Sequence, residues 1–145
     1  MNVFFDVDGT LCSMNDGVLR PGAPQLLHDL AAAGHRVYVW SGVGVRWPDL
    51  RRWGVDGFVV DCFRKPIFDY RAQATRLGVL IAPDFVIDDH PGVVEAFGGY
   101  LIAASYYHDE RDRELDGVRA ALALAADEAP RFSAVSVPPT RENTA

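Results

Sequence analysis

The sequence contains little cysteine and more acidic than basic residues. Its two cysteines, Cys12 and Cys62, show neither Cys-x-x-Cys nor Cys/His spacing, so neither a zinc site nor a disulfide framework is indicated. The 14 Lys and Arg residues face 20 Asp and Glu residues, and the net charge of −6 disfavours a general nucleic-acid binder. A basic amino-terminal stretch with an apolar signal core and a run of membrane-spanning length are also missing. We therefore expect an unprocessed cytoplasmic protein with reduced thiols and no membrane partner.

The chain of 145 residues is long enough for one domain with a hydrophobic core and too short for two ordinary ones. Apolar residues make up 49% and charged residues 23% of the chain, which is typical of a soluble globular protein. The last residues are rich in proline and polar side chains. We predict a folded core over residues 1–129 and a tail over residues 130–145.

Short apolar runs alternate with helical patterns along the chain, which predicts an α/β fold with a parallel sheet. Most runs are apolar at consecutive positions, as expected for strands that are buried on both faces. The predicted strands cover residues 2–5, 36–40, 57–60, 84–87 and 100–104. The predicted helices cover residues 23–33, 47–53, 67–77, 91–97 and 110–128.

Polar side chains follow four of these strands. Asp6 and Asp8 end the first strand, Ser41 ends the second, Lys65 follows the third, and Asp88 and Asp89 end the fourth. Because ligands of open α/β sheets bind beyond the carboxyl ends of the strands, these side chains can converge on one site. Crowded carboxylates repel one another unless a cation or a proton lies between them, so the pattern indicates a metal site or a catalytic pair.

The order and spacing of "DVDGT", "VWSG", the lysine of "FRKP" and "VIDDH" resemble the four motifs of the haloacid dehalogenase superfamily of phosphohydrolases. The resemblance spans Asp6 to Asp89. It implies a Rossmann-like three-layer sandwich whose five parallel strands lie in the order 5-4-1-2-3. It also implies a hydrolase that cleaves phosphate monoesters through an aspartyl-phosphate intermediate.

The resemblance also implies a role for each matching residue. Asp6 would be the nucleophile, and Asp8 the acid that protonates the leaving group and then the base that activates water. Thr10 would support the loop and orient Asp8. Ser41, with the backbone at Gly42, and Lys65 would bind the phosphoryl group.

The resemblance further implies a metal site. The Asp6 carboxylate, the Asp8 backbone carbonyl, Asp88 and Asp89 would hold Mg²⁺, and the sequence leaves open which of the last two binds it directly. An oxygen-rich site of carboxylates suits Mg²⁺ better than zinc. A hydroxyl, a lysine and a metal are the groups that stabilise the charge of a phosphoryl transition state.

Many relatives in this superfamily carry a cap domain, for which this chain has no room. About ten residues, Leu11 to Arg20, separate the first motif from the next helix, and 24 positions separate Ser41 from Lys65, whereas free-standing domains rarely fall below ~40 residues. We predict a capless member with a short hairpin flap that has Asn15-Asp16-Gly17 at its tip.

Without a cap, the site must be covered by a second subunit or by a large substrate. The acidic net charge favours a homo-oligomer that acts on a small phosphorylated metabolite, with nucleic acid disfavoured. Three alternatives stay open: a phosphatase of a phosphoprotein or a nucleic-acid end, a phosphotransferase, and a non-catalytic phosphate-binding module. Arg46 and Arg64 flank the predicted pocket and could hold an anionic substrate, although we expect a surface role for either residue.

Overall fold

A computed structural model describes residues 1–128 of the chain. The strands are β1 Asn2–Asp6, β2 Arg36–Ser41, β3 Asp61–Arg64, β4 Phe85–Asp88 and β5 Gly99–Leu101. The helices are α1 Ala23–Ala32, α2 Trp47–Arg52, α3 Tyr70–Arg76, α4 Pro91–Phe97 and α5 Glu114–Glu128, with a 3₁₀ turn at Asp56–Phe58. The predicted tail, residues 130–145, lies outside the described residues. None of the helices described is long and apolar enough to span a bilayer.

The five strands form one parallel sheet in the order β3-β2-β1-β4-β5. This is the predicted order 5-4-1-2-3, with β1 at the centre. Helices cover both faces of the sheet, so the predicted three-layer sandwich is confirmed. Because all the strands point the same way, their carboxyl ends lie along a single edge.

Side chains of the central strand alternate between two apolar layers. Val3 and Phe5 pack into the larger layer, against α1 and α5, whereas Phe4 packs into the smaller one. The smaller layer contains Tyr38 and Trp40 of β2, and Phe4 lies within 5 Å of both rings. A strand buried on both faces is fixed in register, since a slip of one residue would exchange its two layers.

The third strand lies further along the chain than its predicted position at residues 57–60. Gly57 and Phe58 belong to the 3₁₀ turn, and Val60, expected in the sheet, is 57% exposed. The strand itself begins at Asp61 and pairs only with β2. An edge strand has one neighbour and partial burial, so it does not need the continuous apolar run that marks a central strand. The fifth strand, predicted over 100–104, is shorter and ends at Leu101.

The predicted hairpin flap is present between β1 and α1. Cys12 and Leu19 form an antiparallel bridge, and the Ser13 amide donates to the Val18 carbonyl at 2.9 Å. Gly17 turns the tip with a φ of 63°, a conformation that favours glycine. The Met14 amide donates to Ser105 at 2.8 Å, so the flap is fastened to the segment that follows β5.

A buried arginine joins this segment to the loop that follows β1. Arg20 is 3% exposed and donates to the carbonyls of Gly9, Thr10 and Ala103 at 3.2, 3.4 and 2.7 Å. Its Nε donates to Asp112 at 2.8 Å. One guanidinium therefore satisfies three backbone acceptors and one carboxylate, and holds the Gly9–Thr10 loop in place.

We expect Arg20→Ala to lower the free energy of unfolding by about 3 kcal/mol, because it removes a buried guanidinium that donates to Asp112 and to three backbone carbonyls. Urea unfolding followed by circular dichroism measures the change. The matched control is Arg119→Ala, which removes a half-exposed pair with Asp29 and should change stability little. Equal losses in the two variants would contradict the bracing role of Arg20.

Candidate active site

Four polar residues predicted from the strand ends lie together at the carboxyl edge of the sheet. Asp6, Ser41 and Asp88 are the last residues of β1, β2 and β4, and Lys65 directly follows β3. Asp6 is 4%, Ser41 2% and Asp88 0% exposed. Charged and polar groups that are buried this deeply require partners.

Lys65, the one lysine of the chain, is the cation at the centre of this group. Its Nζ donates to Asp6 Oδ1 at 2.9 Å and to Asp88 Oδ2 at 3.1 Å. Burial disfavours the charged ammonium, but the two carboxylates outweigh burial and raise the pKa of Lys65 above its usual range. Lys65 therefore stays charged and bridges β1 to β4.

Both oxygens of Asp6 are held by the protein. Oδ1 accepts from Lys65, and Oδ2 accepts from the buried Thr10 hydroxyl at 3.0 Å. Burial raises the pKa of Asp6 to about 6, against the opposing effect of Lys65. The predicted support by Thr10 thus acts directly on Asp6, whereas Asp8 has a different partner.

The partner of Asp8 is Arg46, at the start of α2. Its Nη1 and Nη2 donate to the two Asp8 oxygens at 2.6 and 3.2 Å, a bidentate pair. Nη1 also lies 3.2 Å from Ser41 Oγ, and Nε donates to Asp49 at 2.6 Å. The sequence predicts Arg46 beside the pocket, and the expectation of a surface role is wrong for this residue, because its side chain is only 16% exposed. Its contact with Asp8 is not indicated by any pattern along the chain.

Asp6, Asp88 and Asp89 form the group of potential metal ligands found in residues 1–128. One carboxylate oxygen of each lies within 4.8 Å of the others. Asp8 is not in this group, because its carboxylate faces Arg46. The His90 amide donates to Asp88 Oδ1 at 2.9 Å, and burial together with the charge of Asp6 raises the pKa of Asp88.

The residues fit a hard divalent cation. Lys65 contacts two of the three carboxylates, so the ionised cluster of three carboxylates and one lysine keeps two negative charges that a divalent cation would neutralise. All the ligand atoms are oxygens, which suits Mg²⁺ or Ca²⁺ rather than zinc. Gly9 also leaves space for the third carboxylate, because a Cβ at this position would lie 2.6 Å from Asp89 Oδ2.

An open pocket of about 210 Å³ adjoins this cluster. Its lining includes Lys65 of the cluster and Gly42, and the other lining residues are Arg64, Pro66, Ile67, Phe68, Gln73 and Leu77. A larger pocket of about 350 Å³, lined by α3 and residues 79–83, contains none of the site residues. The smaller pocket is therefore the candidate binding pocket, because it is the one of these two that is lined by site residues.

The two cysteines lie outside the ligand group. Both are buried and free, and burial raises the pKa of Cys12 to about 12. A protonated, buried thiol behaves as a small apolar side chain. In this environment Cys12 is a packing residue.

Comparisons with known proteins bear on the fold. No family model matches the chain, and no curated protein matches it. A solved structure described as the Pnkp1/Rnl/Hen1 RNA repair complex contains a similar chain, with a TM-score of 0.50 and 18% sequence identity. The match covers 73% of this chain and 43% of that one, so the present chain spans less than half of the neighbour. A likeness at this identity concerns the fold alone.

We expect Mg²⁺ to raise the melting temperature by a few degrees relative to chelator, because tenfold excess over Kd stabilises the native state by about 1.4 kcal/mol. Differential scanning fluorimetry measures the shift. Asp89→Asn should remove most of this shift, whereas Asp127→Asn, which changes an exposed residue of α5, should keep it. A shift that is absent, or that is the same in both variants, would rule out this metal site.

Proposed function

We propose that this protein is a Mg²⁺-dependent phosphomonoester hydrolase that works through an aspartyl-phosphate at Asp6. The observation that carries the proposal is the bridge of Lys65 between Asp6 and Asp88, beside Asp89. It brings together a carboxylate that can act as a nucleophile, a cation and three carboxylates that could hold a divalent metal. The order of the four sequence motifs supports the same chemistry.

Asp6 is the proposed nucleophile. One carboxylate oxygen forms a bond to phosphorus while the bond from phosphorus to the ester oxygen breaks, and a carboxylate divides one difficult hydrolysis into two easier steps. Thr10 and Lys65 hold the two oxygens at 3.0 and 2.9 Å, which limits the rotation of the carboxylate. A fixed nucleophile reduces the entropy lost on reaching the transition state.

Asp8 is the proposed acid and base. It gives a proton to the departing ester oxygen in the first step. In the second step it takes a proton from the water that attacks phosphorus, and the bond between phosphorus and Asp6 breaks. Asp8 suits this role because its side chain is 36% exposed, so it can exchange protons with solvent.

Ser41, Gly42 and Lys65 are the proposed phosphoryl-binding groups. Ser41 Oγ and the Lys65 ammonium lie at the ends of neighbouring elements of the sheet, and both can donate to the phosphoryl oxygens. Asp6, Asp88, Asp89 and the Asp8 carbonyl would hold the metal. When bound, Mg²⁺ supplies positive charge against the charge that develops on the transferred group.

Exposed apolar side chains around the site favour its coverage by another molecule or subunit. Loops around it expose apolar side chains, and Val43, Ile67 and Phe68 are 77%, 67% and 61% exposed. Exposed apolar groups at a site rim favour coverage by another surface. We propose a homo-oligomer acting on a small phosphorylated metabolite, because the net charge of −6 opposes a polyanionic substrate.

Two variants test the proposed roles. Asp6→Asn should abolish hydrolysis of 4-nitrophenyl phosphate, because an amide cannot act as the nucleophile. Asp8→Asn should lower it by about 10²- to 10⁴-fold for each proton transfer. Phosphate release measures both, with Asp127→Asn as the surface control. Undiminished turnover by Asp6→Asn would refute the assignment of Asp6 as the nucleophile. A wild-type protein that hydrolyses no phosphate ester would favour the alternative of a non-catalytic phosphate-binding module.

A second experiment tests the substrate class and the assembly. We expect light scattering to give more than one chain per particle, and kcat/KM to be higher for small phosphate esters than for phosphopeptides or 3′-phosphorylated oligonucleotides. Phosphate transfer to added alcohols, measured against release to water, tests the phosphotransferase alternative. A strict monomer with high efficiency on small esters would contradict the need for coverage. A preference for oligonucleotides would replace the metabolite with a nucleic-acid end.

A further inference from the structure

We propose that Arg46 is a phosphoryl-binding residue that leaves Asp8 when the substrate phosphate enters the site. The inference deepens the proposed function and rests on it. Arg46 does not belong to the four motifs, yet its guanidinium contacts the proposed acid-base residue, Asp8, and the proposed phosphate ligand, Ser41. Its side chain is only 16% exposed, so it is part of the site rather than of the solvated surface.

The position of Nη1 relates Arg46 to the phosphoryl group. It lies 3.2 Å from Ser41 Oγ, the distance of one hydrogen bond. A phosphoryl oxygen that accepts from Ser41 would therefore lie within reach of Nη1 after a small rotation of the guanidinium. Arg46 would then supply a second cation at the site, in addition to Lys65, which contacts Asp6 and Asp88.

The other edge of Arg46 is anchored. Nε donates to Asp49 at 2.6 Å, and the backbone amide donates to Cys62 Sγ at 3.1 Å. These contacts fix the backbone and the inner edge of the guanidinium, and leave the two outer nitrogens to exchange partners. A phosphate dianion offers more charge and more acceptor oxygens than one carboxylate, so it can compete for the outer nitrogens.

The exchange has a consequence for Asp8. In the free protein the guanidinium occupies both Asp8 oxygens, at 2.6 and 3.2 Å. When Arg46 moves to the phosphoryl group, these oxygens become available to the ester oxygen and to water. Substrate binding and release of the acid-base group are then one event, so Asp8 is freed only when there is a phosphate to cleave.

The test measures the binding of inorganic phosphate by calorimetry at a fixed Mg²⁺ concentration. We expect Arg46→Gln to raise the Kd about 10- to 100-fold, because a charge-assisted hydrogen-bond pair is lost, and Arg46→Lys to raise it less. The matched control is Arg52→Gln, since exposed Arg52 contacts the same Asp49 and should leave the Kd within about twofold. A Kd in Arg46→Gln equal to that of the control would overturn the proposal. If Arg46→Gln does not fold, the Kd of Arg46→Lys is compared with that of the control instead.

A double-mutant cycle separates direct contact from an effect through Asp8. Removing Arg46 also leaves the Asp8 charge without its partner, which would repel phosphate on its own. In the Asp8→Asn background this repulsion is absent, so Arg46→Gln should still raise the Kd about tenfold or more if Arg46 binds phosphate. No effect of Arg46→Gln in that background would show that Arg46 acts only by neutralising Asp8, and would overturn the proposal.

This binding assay is independent of turnover. Phosphate binding that depends on Arg46 in a protein that hydrolyses no ester would refute the phosphatase and keep the role of Arg46. Hydrolysis of esters together with a phosphate Kd that does not change on substitution of Arg46 would keep the phosphatase and refute the role of Arg46.

Discussion

The contact of Lys65 with Asp6 and Asp88 is the interaction on which the rest of the site depends. Carboxylates at the buried ends of β1 and β4 would repel each other, and their desolvation would be costly without a cation. A single lysine reduces this repulsion but leaves the cluster with excess negative charge once Asp89 is included. The same imbalance that limits the stability of the metal-free site would favour the proposed binding of a divalent cation.

The sheet makes this concentration of charge possible. Parallel strands direct their last residues to one edge, and the burial of β1 between two apolar layers fixes which residues these are. Arg20 then holds the loop after β1 through the carbonyls of Gly9 and Thr10. Rigid strands and a braced loop hold the side chains in a fixed geometry, which charge stabilisation in the proposed phosphoryl transfer would require.

Much of this arrangement could be predicted from the sequence, since it depends on local patterns. Buried strands are recognisable in the sequence as apolar runs, and each of the three runs of β1, β2 and β4 ends at a polar residue: Asp6, Ser41 and Asp88. The third strand was misplaced because an edge strand needs no such run, and the apolar run before it, which includes the exposed Val60, lies largely outside the sheet. The contact of Arg46 with Asp8 was not predictable, because it joins residues 38 positions apart through the placement of α2. Pairings of this kind depend on tertiary packing, which cannot be predicted from local patterns in the sequence.

The covalent intermediate is the central claim, and its location can be measured directly. We predict that Asp8→Asn, quenched in acid during turnover of 4-nitrophenyl phosphate and digested, carries a phosphoryl group on Asp6 in the mass spectrum, because loss of the base slows attack by water on the intermediate. The phosphoryl group should be absent when Asp6→Asn is added to the same protein. A phosphoryl group on another residue would contradict the account. So would turnover by Asp8→Asn with no phosphorylated peptide at any quench time.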